Sequence, residues 1–404
     1  MKISITNHTG SRNRGCEALI KSTIIGLQKC LSKVDENIEF YIHSNDPAYD
    51  AWRFPSNKVV FSYALKTPNH SRYMKLNKFI YKVFGFVEGF VCNFLELPYR
   101  CDHISVIRES NLIVASGGDI FTSDYENLRK HMAPIVFSNV PVIMCSHSIG
   151  PFSSSDEKYF RKSIKNVKII TVREKRSYDY LVGLELDAKL VLVADVAFNL
   201  PAECGDKYWT NYYSQGEDVV ALSISEGIVR YSGLDRDDYI SIWVDFINFL
   251  IESGKSVLLI PHVVEVNPNN NDLIMIHDVM SHCGDKIVSS VKVASMEYSA
   301  SELKGLIGKC KALVGTRTHA TIASLSQCIP TVSVAYSRKA HGIMSDVFGS
   351  KKGRMLTINA SDMSVENLID AYRIALENPP EPKIISKMKK DAEKNFEMVE
   401  DIFQ

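Results

Sequence analysis

The sequence of 404 residues lacks an excess of charge of either sign. Lys and Arg together number 47, and so do Asp and Glu, so the formal net charge is zero. Nucleic-acid-binding domains normally carry a surplus of basic residues, and we therefore expect no nucleic-acid partner. Any anionic ligand must be bound by a local cluster of cations.

The nine cysteines lack a pattern of pairs. They are odd in number, they are scattered from Cys16 to Cys328, and no two of them form a CxxC motif. This spacing argues against a disulfide framework and against a zinc site, and it is typical of reduced thiols in a cytoplasmic protein.

Long apolar runs are also missing. The start, MKISITNHTGSRNRG, turns polar too early for a signal peptide. No stretch of about 18–20 apolar residues is free of charge, so we expect no transmembrane helix and a cytoplasmic location.

One stretch, KLNKFIYKVFGFVEGFVCNFLEL at 75–97, has apolar residues at helical spacing and lysines at its start. It predicts one of two things. Either a helix lies on the inner face of a membrane and recruits a lipid-linked substrate, or a helix packs against the rest of the protein.

What the sequence does contain is a regular alternation of short β-branched runs and helical patterns, which is typical of parallel α/β folds. It predicts strands at 2–7, 38–44, 58–65, 111–118, 140–148, 167–174 and 189–198, and then at 218–227, 255–263, 285–291, 311–316, 330–337 and 353–359. We expect two doubly wound domains that face each other across a cleft, 1–203 and 204–380. A C-terminal helix, 381–404, could cross back to the N-terminal domain.

Unusual polar segments follow many of these strands. They are NHTGSRNRG, SGGDIF, SHSIGP, VREKRS, ADVAF, SISEG, PHVVE and GTRTH. Ligands of doubly wound sheets bind at the carboxyl ends of the strands. Eight such segments together predict a single ligand-binding cleft.

The segment GTRTHATIASL places Arg317 and His319 where a strand turns into a helix. The free N–H groups of a helix N-terminus attract anions, the guanidinium offers a planar fork, and the imidazole can supply a proton. In the alternative interpretation, Arg317 forms a structural salt bridge and His319 caps the helix.

Arg173, Asp119 and His147 come at three further strand ends. Arg173 directly follows an apolar strand and could contact a ligand. Asp119 could act as a base or cap the next segment, and His147 could face a sugar or lie satisfied in the core.

The loop after the first strand carries donor-rich side chains. Asn13, Arg14 and Glu17 could bind an acceptor, or the loop could simply turn the chain.

Taken together, these motifs resemble the polysaccharide pyruvyl transferase family. The resemblance runs in order through GCEALI, SGGDIF, SHSIGP, VREKRS, ADVAF and the IPH strand end. It includes the specific block ELKGLIGKCKALVGTRTHATIASLSQCIPTVSVAYSRKAHG and covers most of the chain. It implies a GT-B-like architecture of two Rossmann-like domains and transfer of pyruvate from phosphoenolpyruvate to two hydroxyls of one sugar, without a cofactor or metal.

The resemblance also implies roles for individual residues. The donor would be bound by Arg317, Thr318 and Lys339 of the C-terminal half, the probable phosphoenolpyruvate side, and by Arg173 of the N-terminal half. His319 would protonate the enol carbon or assist the departure of phosphate. Asp119 or His147 is a candidate for the base by its position alone. The acceptor, a sugar that could be lipid-linked, would be bound on the N-terminal side by His147, Asn13, Arg14 and Glu17.

Two departures from the family pattern concern the acceptor side: the basic loop with Arg12 and Arg14, and His147 where a glutamine is expected. Two other functions stay open at this point. One is a GT-B glycosyltransferase that uses a nucleotide sugar, and the other is a non-catalytic sugar-binding relative.

Overall fold

The computed structural model describes residues 1–63, 104–122, 128–203, 205–214, 216–284, 287, 289–335 and 338–403. By its contacts the chain divides into two compact units. The N-terminal unit comprises Met1–Gly10, Thr23–Asp195 and Lys394–Gln404, and the C-terminal unit comprises Ser11–Ser22 and Val196–Glu393. The contacts thus group residues 11–22 and 394–404 differently from the continuous ranges 1–203 and 381–404. The donor and acceptor roles of the two halves stay predictions.

The described part of the N-terminal unit contains one parallel sheet of eight strands. Its order is β3-β2-β1-β4-β6-β7-β8, with β5 paired to β6. The strands are β1 (Lys2–Thr6), β2 (Glu39–Ser44), β3 (Val59–Tyr63), β4 (Leu112–Ala115), β5 (Gly118–Phe121), β6 (Val142–Ile149), β7 (Val167–Val172) and β8 (Lys189–Leu192).

Helices separate these strands along the chain. They are α1 (Arg14–Leu31), α2 (Pro47–Arg53), α3 (Ile104–Glu109), α4 (Leu128–Val136), α5 (Ser154–Ser163) and α6 (Lys175–Val182). The central strands β4 and β6 are buried along their whole length. Such strands read as continuous apolar runs because both faces of a parallel sheet are covered.

The described part of the C-terminal unit contains a second parallel sheet, with the order β11-β10-β9-β12-β13-β14. The strands are β9 (Val219–Ser223), β10 (Ser256–Leu259), β11 (Val291–Val293), β12 (Ala312–Gly315), β13 (Thr331–Ala335) and β14 (Thr357–Asn359). Neighbouring β9 and β12 are central and fully buried.

The helices of this unit are α7 (Gly205–Trp209), α8 (Val229–Ser232), α9 (Arg236–Glu252), α10 (Asp272–His282), α11 (Ala300–Ile307), α12 (Thr318–Leu325), α13 (Arg338–Met355), α14 (Val365–Glu377) and α15 (Pro382–Glu393). Ser299 and Glu302 form a capping box at α11. Asp235 caps α9 through its side chain. Sequence patterns therefore fix several helix starts locally.

Several predicted boundaries were wrong. The segment ADVAF leaves the strand early, since Val196–Asn199 form a 3-10 turn. The predicted strand at 285–291 is found instead at Val291–Val293, and the predicted strand at 111–118 ends at Ala115 and is followed by the separate short strand β5. The stretch 75–97 lies outside the described residues. None of the described helices is long and apolar enough to cross a membrane.

Lys304, in the middle of α11, is almost completely buried, with 3% of its surface exposed. Its ammonium donates hydrogen bonds to the carbonyl oxygens of Phe198 (3.2 Å) and Ala197 (3.4 Å) in the 3-10 turn. Burial, with a smaller contribution from the charge of Lys389, lowers the pKa of Lys304 to about 7. The 3-10 turn Val196–Asn199 is therefore held by a lysine whose protonated form is destabilised by burial.

We expect the stability of the protein to rise with pH above about 7 because of Lys304. Between about 7 and the ordinary lysine value of 10.5, the unfolded chain binds more protons at this residue than the folded chain. The free energy of unfolding should therefore gain up to about 1.4 kcal/mol per pH unit from this group. Denaturant unfolding between pH 7 and 9 measures the slope.

The variant Lys304→Met should lose this part of the slope, whereas Lys351→Met, at an exposed lysine, should keep it. Parallel pH profiles of the wild-type protein and Lys304→Met would contradict the assignment.

Candidate active site

Arg317 occupies the turn between β12 and α12. The strand ends at Gly315, and the hydroxyl of Thr316 donates to the carbonyl of Ser223 (2.8 Å), which ties the turn to the end of β9. Arg317 is the N-cap residue of α12, and the first turn of that helix contains no acidic residue. Because no carboxylate of this turn competes for them, the N–H groups at the start of α12 can attract an anion.

The guanidinium of Arg317 is held in a fixed orientation. Its Nη2 donates to Oδ1 of Asp272 (2.6 Å) and to Oδ1 of Asn270 (3.2 Å), and its Nε lies 3.3 Å from both carboxylate oxygens. The Asp272 side chain is fully buried, whereas 16% of the Arg317 side chain is exposed. The structural salt bridge of the alternative interpretation is thus present, and it still leaves part of the fork accessible.

Asp272 is itself positioned by backbone. Its Oδ2 accepts hydrogen bonds from the N–H groups of His262 (3.1 Å) and Val263 (2.8 Å), which follow strand β10. One carboxylate therefore links the end of β10 to the start of α12.

His319 lies against the start of α1. A Cβ atom on Gly15 would be 2.4 Å from Nδ1 of His319 and 3.0 Å from Oδ1 of Asn13. Only glycine lets the imidazole approach this closely.

His262 joins this cluster, and the sequence interpretation did not single it out. It is buried, and its carbonyl accepts from the N–H of Arg14 (2.9 Å). Burial lowers the pKa of His262 well below the usual range, and the charges of His319, Arg317 and Arg14 lower it further. The only sequence signal was the IPH strand end.

The predicted acceptor residues of the first loop have structural partners in the C-terminal unit. Oδ1 of Asn13 accepts from the N–H of Gly15 (2.9 Å) and caps α1. Arg14 is fully buried and donates to the carbonyls of Ser11 and Met296 and to the carboxylate of Glu17 (3.2 Å). A contact of these residues with an acceptor stays a prediction.

Arg173 directly follows β7 and is 3% exposed. It forms ion pairs with Asp195 (2.7 Å) and Asp119, and its Nε lies 3.2 Å from Oγ of Ser148. The fork is therefore enclosed by two carboxylates, of which only Asp119 keeps an exposed side chain, at 22%.

His147 lies at the end of β6 beside this group. Its ring is fully buried, packs 4.7 Å from the ring of Phe121 and places Nε2 3.2 Å from the carbonyl oxygen of Ala115. Burial, with the nearby charge of Arg173, lowers the pKa of His147 to about 3. The imidazole is therefore neutral at physiological pH.

The structure thus brings together two sets of candidate site residues. Arg14, His262, Arg317 and His319 form a basic cluster in the C-terminal unit, and Asp119, His147 and Arg173 form a buried ionic group in the N-terminal unit. Thr318 is the first residue of α12, whereas the side chain of Lys339 lies outside the described part of the structure.

Residues 13–338 match the family model described as polysaccharide pyruvyl transferase. The chain belongs to this family. The relationship predicted from GTRTH and the other motifs is therefore confirmed.

One relative is the amylovoran biosynthesis protein AmsJ of Erwinia amylovora. It is 24% identical over 396 residues, which cover 94% of this chain and 91% of AmsJ.

Solved structures with a similar fold include two epimerases. A putative UDP-N-acetylglucosamine 2-epimerase of Listeria monocytogenes has a TM-score of 0.58 and 10% identity, and covers 100% of this chain and 96% of its own. The UDP-GlcNAc 2-epimerase of Neisseria meningitidis, bound to UDP-GlcNAc, has a TM-score of 0.56 and 11% identity. The match covers 100% of this chain and 99% of the epimerase. At this identity the likeness shows the fold alone. The predicted GT-B-like α/β class with two parallel sheets is confirmed.

The sequence analysis of this pyruvyl transferase family member also missed a second buried pair, His8 and Asp50. Nε2 of His8 lies 3.0 Å from Oδ2 of Asp50, and the same carboxylate oxygen accepts from the hydroxyl of Ser44. The pair fixes the chain just after β1. No local sequence pattern predicts this pair, because His8 and Asp50 are 42 positions apart.

Within the described ranges, no group of three or more His, Cys, Asp or Glu residues is arranged to hold a metal ion.

The contact between Gly15 and His319 yields a direct test. Replacing a glycine near the start of a helix by alanine normally stabilises the helix. In Gly15→Ala, however, the new methyl group must displace the imidazole of His319, so we expect turnover of the transferase to fall by about a hundredfold while the fold is retained. Steady-state kinetics and circular dichroism measure the two effects.

Gly183→Ala is the matched control, because its Cβ would meet no described atom closer than 3.4 Å. Full activity of Gly15→Ala with an unchanged fold would show that the position of His319 does not matter for turnover.

Proposed function

We propose that this transferase moves pyruvate from phosphoenolpyruvate to two hydroxyls of one sugar and forms a cyclic ketal during exopolysaccharide biosynthesis. Membership of the pyruvyl transferase family supports the transferred group, and the similarity to AmsJ, an amylovoran biosynthesis protein, supports the pathway. The observation that carries the proposal is the basic cluster in the C-terminal unit, where a guanidinium fork and an imidazole flank one helix N-terminus.

The donor explains the need for such a cluster. Phosphoenolpyruvate carries a carboxylate and a phosphate on three carbons, so its site needs cationic groups in fixed geometry. Arg317 meets this requirement because Asp272 and Asn270 hold its fork in place. The N–H groups at Thr318 and the charge of Arg14 favour the same anion, and Lys339 stays a predicted further contact.

The role of His319 follows from the chemistry of the enol ester. A proton from its imidazole adds to the methylene carbon, and the first sugar hydroxyl forms a C–O bond to the central carbon and gives its proton to a base. Phosphate then leaves with the electron pair of its C–O bond. The second hydroxyl closes the ring and releases the second proton.

His262 is a positioning residue in this scheme. The low pKa of His262 keeps its imidazole neutral, so it adds no further charge beside Arg14 and Arg317. The backbone N–H of His262 donates a hydrogen bond to Asp272 and so helps to position that carboxylate. The proton that is transferred therefore belongs to His319.

We assign the base to Asp119 rather than to His147. The His147 ring is fully buried and has a pKa of about 3, so it accepts a proton poorly and we expect it to support the neighbouring Arg173. Asp119 keeps an exposed carboxylate edge. Arg173 remains our predicted second contact of the donor, and its ion pairs add a second role, which is to orient Asp119.

Phosphate release from phosphoenolpyruvate tests this function. With galactosides, mannosides and amino sugars as acceptors, at least one should stimulate release without added metal and give a product that is heavier by a pyruvate ketal. In thermal melts, phosphoenolpyruvate but not UDP or GDP should raise the melting temperature. Stabilisation by a nucleotide diphosphate alone, or complete inhibition by a chelator, would contradict the proposal.

Two variants separate binding from chemistry. Arg317→Ala should raise the KM for phosphoenolpyruvate, because it removes a contact made in both the bound state and the transition state, whereas His319→Ala should mainly lower kcat. The opposite pattern would exchange the two roles. A non-catalytic sugar-binding relative would release no phosphate in any of these assays.

A further inference from the structure

The first turn of α4, in the N-terminal unit, is unusually basic. The helix comprises Leu128–Val136, begins with Leu128, Arg129, Lys130 and His131, and has no acidic residue in its first turn. The helix dipole favours the opposite arrangement, because the N-terminus is already positive. The charges of Arg129 and Lys130 at this end raise the local positive potential further.

Arg129 is the central residue of this turn. It is only 6% exposed, and its guanidinium lies 4.2 Å from the ring centre of Tyr159 on α5. Its Nη1 is buried without a hydrogen-bond partner. No carboxylate in the described part of the chain forms an ion pair with it.

Two other buried arginines, Arg14 and Arg173, differ from Arg129 because each has polar partners for its guanidinium. The Arg14 guanidinium donates to two carbonyls and one carboxylate, and the Arg173 guanidinium contacts two carboxylates. Arginine stays charged at any physiological pH, and burying that charge without a partner costs more than a stacked ring returns. Among the described residues, Arg129 lacks the anionic partner that the other two arginines have.

The turn lies at the carboxyl edge of the sheet, where doubly wound folds bind ligands. The side-chain amide of Asn7, the residue after β1, donates to the carbonyl of His131 (3.1 Å). Asn7 has a left-handed φ of 68°, so the loop after β1 bends sharply at this contact. Side chains of a helix lean towards its N-terminus, so the guanidinium of Arg129 lies towards the same end of α4 as the N–H groups of its first turn.

We propose that the first turn of α4, with Arg129 as its principal ligand, binds a phosphate group carried by the acceptor. A phosphate ester offers several oxygens to the guanidinium fork and the helix N–H groups at once. That the phosphate belongs to an acceptor, as the ester joining a sugar to its carrier, rests on the proposed function. The anion site itself does not. Lys130 is exposed and adds charge at the rim. Burial, with the charge of Lys130, lowers the pKa of the half-buried His131, so its imidazole is neutral at physiological pH and can only donate a hydrogen bond.

Thermal melts of the full chain test the anion site without any assay of activity. Inorganic pyrophosphate, at constant ionic strength set with sodium chloride, should raise the melting temperature of the protein. Because the Arg317 cluster also attracts anions, the melts are made in the Arg317→Gln background. There the shift should persist, and adding Arg129→Gln should abolish it.

Two control variants test whether the anion-induced rise in melting temperature depends on Arg129 and on its guanidinium fork. Arg108→Gln, at an exposed arginine on α3, should keep the full shift, and Arg129→Lys should keep part of it, because it retains the charge but loses the fork. In the absence of anions, Arg129→Gln should melt no lower than the parent protein, since it removes an unpaired buried charge. An equal shift with and without Arg129, or a large loss of stability in anion-free Arg129→Gln, would overturn the proposal.

Acceptor kinetics identify the source of the phosphate. The same sugar is compared as a phosphate ester and as a methyl glycoside in the phosphate-release assay. Arg129→Gln should raise the KM of the phosphorylated acceptor by about thirtyfold or more, which is usual when one member of a buried charge pair is lost, and leave the KM of the methyl glycoside unchanged. Equal effects on both acceptors would show that the acceptor does not supply the anion. If no acceptor is turned over at all, the proposed function fails while the melting result stands.

Discussion

The ion pair between Arg317 and Asp272 is the interaction on which the C-terminal site depends. A lone guanidinium at a strand end would sample many rotamers, and ordering it when a small donor binds would cost entropy. Here the carboxylate is buried and fixed by the N–H groups of His262 and Val263, so the fork is oriented in advance. Three segments distant in sequence thereby share one geometry: the end of β10, the start of α10 and the start of α12.

The same principle of charge balance distinguishes the other buried basic groups. Arg173 is neutralised by two carboxylates, Lys304 is bound by carbonyl oxygens and becomes easy to deprotonate, and His147 is held neutral by burial. In each of these groups the unfavourable burial of a charge is offset by ion pairs, by hydrogen bonds or by loss of the proton. Arg129 has none of these solutions in the described structure, which is why it points to a ligand rather than to a structural role.

Much of the fold was predictable because its signals are local. Strand periodicity, capping residues and the placement of polar segments after strands are read directly from consecutive residues, and they gave the two parallel sheets and the positions of Arg173, Arg317 and His319. Boundaries were less predictable. ADVAF carries the apolar composition of a strand, yet Val196–Asn199 form a 3-10 turn whose carbonyls bind Lys304 more than a hundred positions away.

The sequence alone determined the α/β class, the family and the residues at the strand-to-helix turn, because each depends on neighbours within a few positions. Only the tertiary structure decided that Asp272 and His262 lie beside Arg317, that Gly15 makes room for His319, and that Arg129 is buried with no counterion among the described residues. Those relations depend on which strands are adjacent in each sheet and which helices cover them. The spacing of apolar residues along the chain does not encode that order.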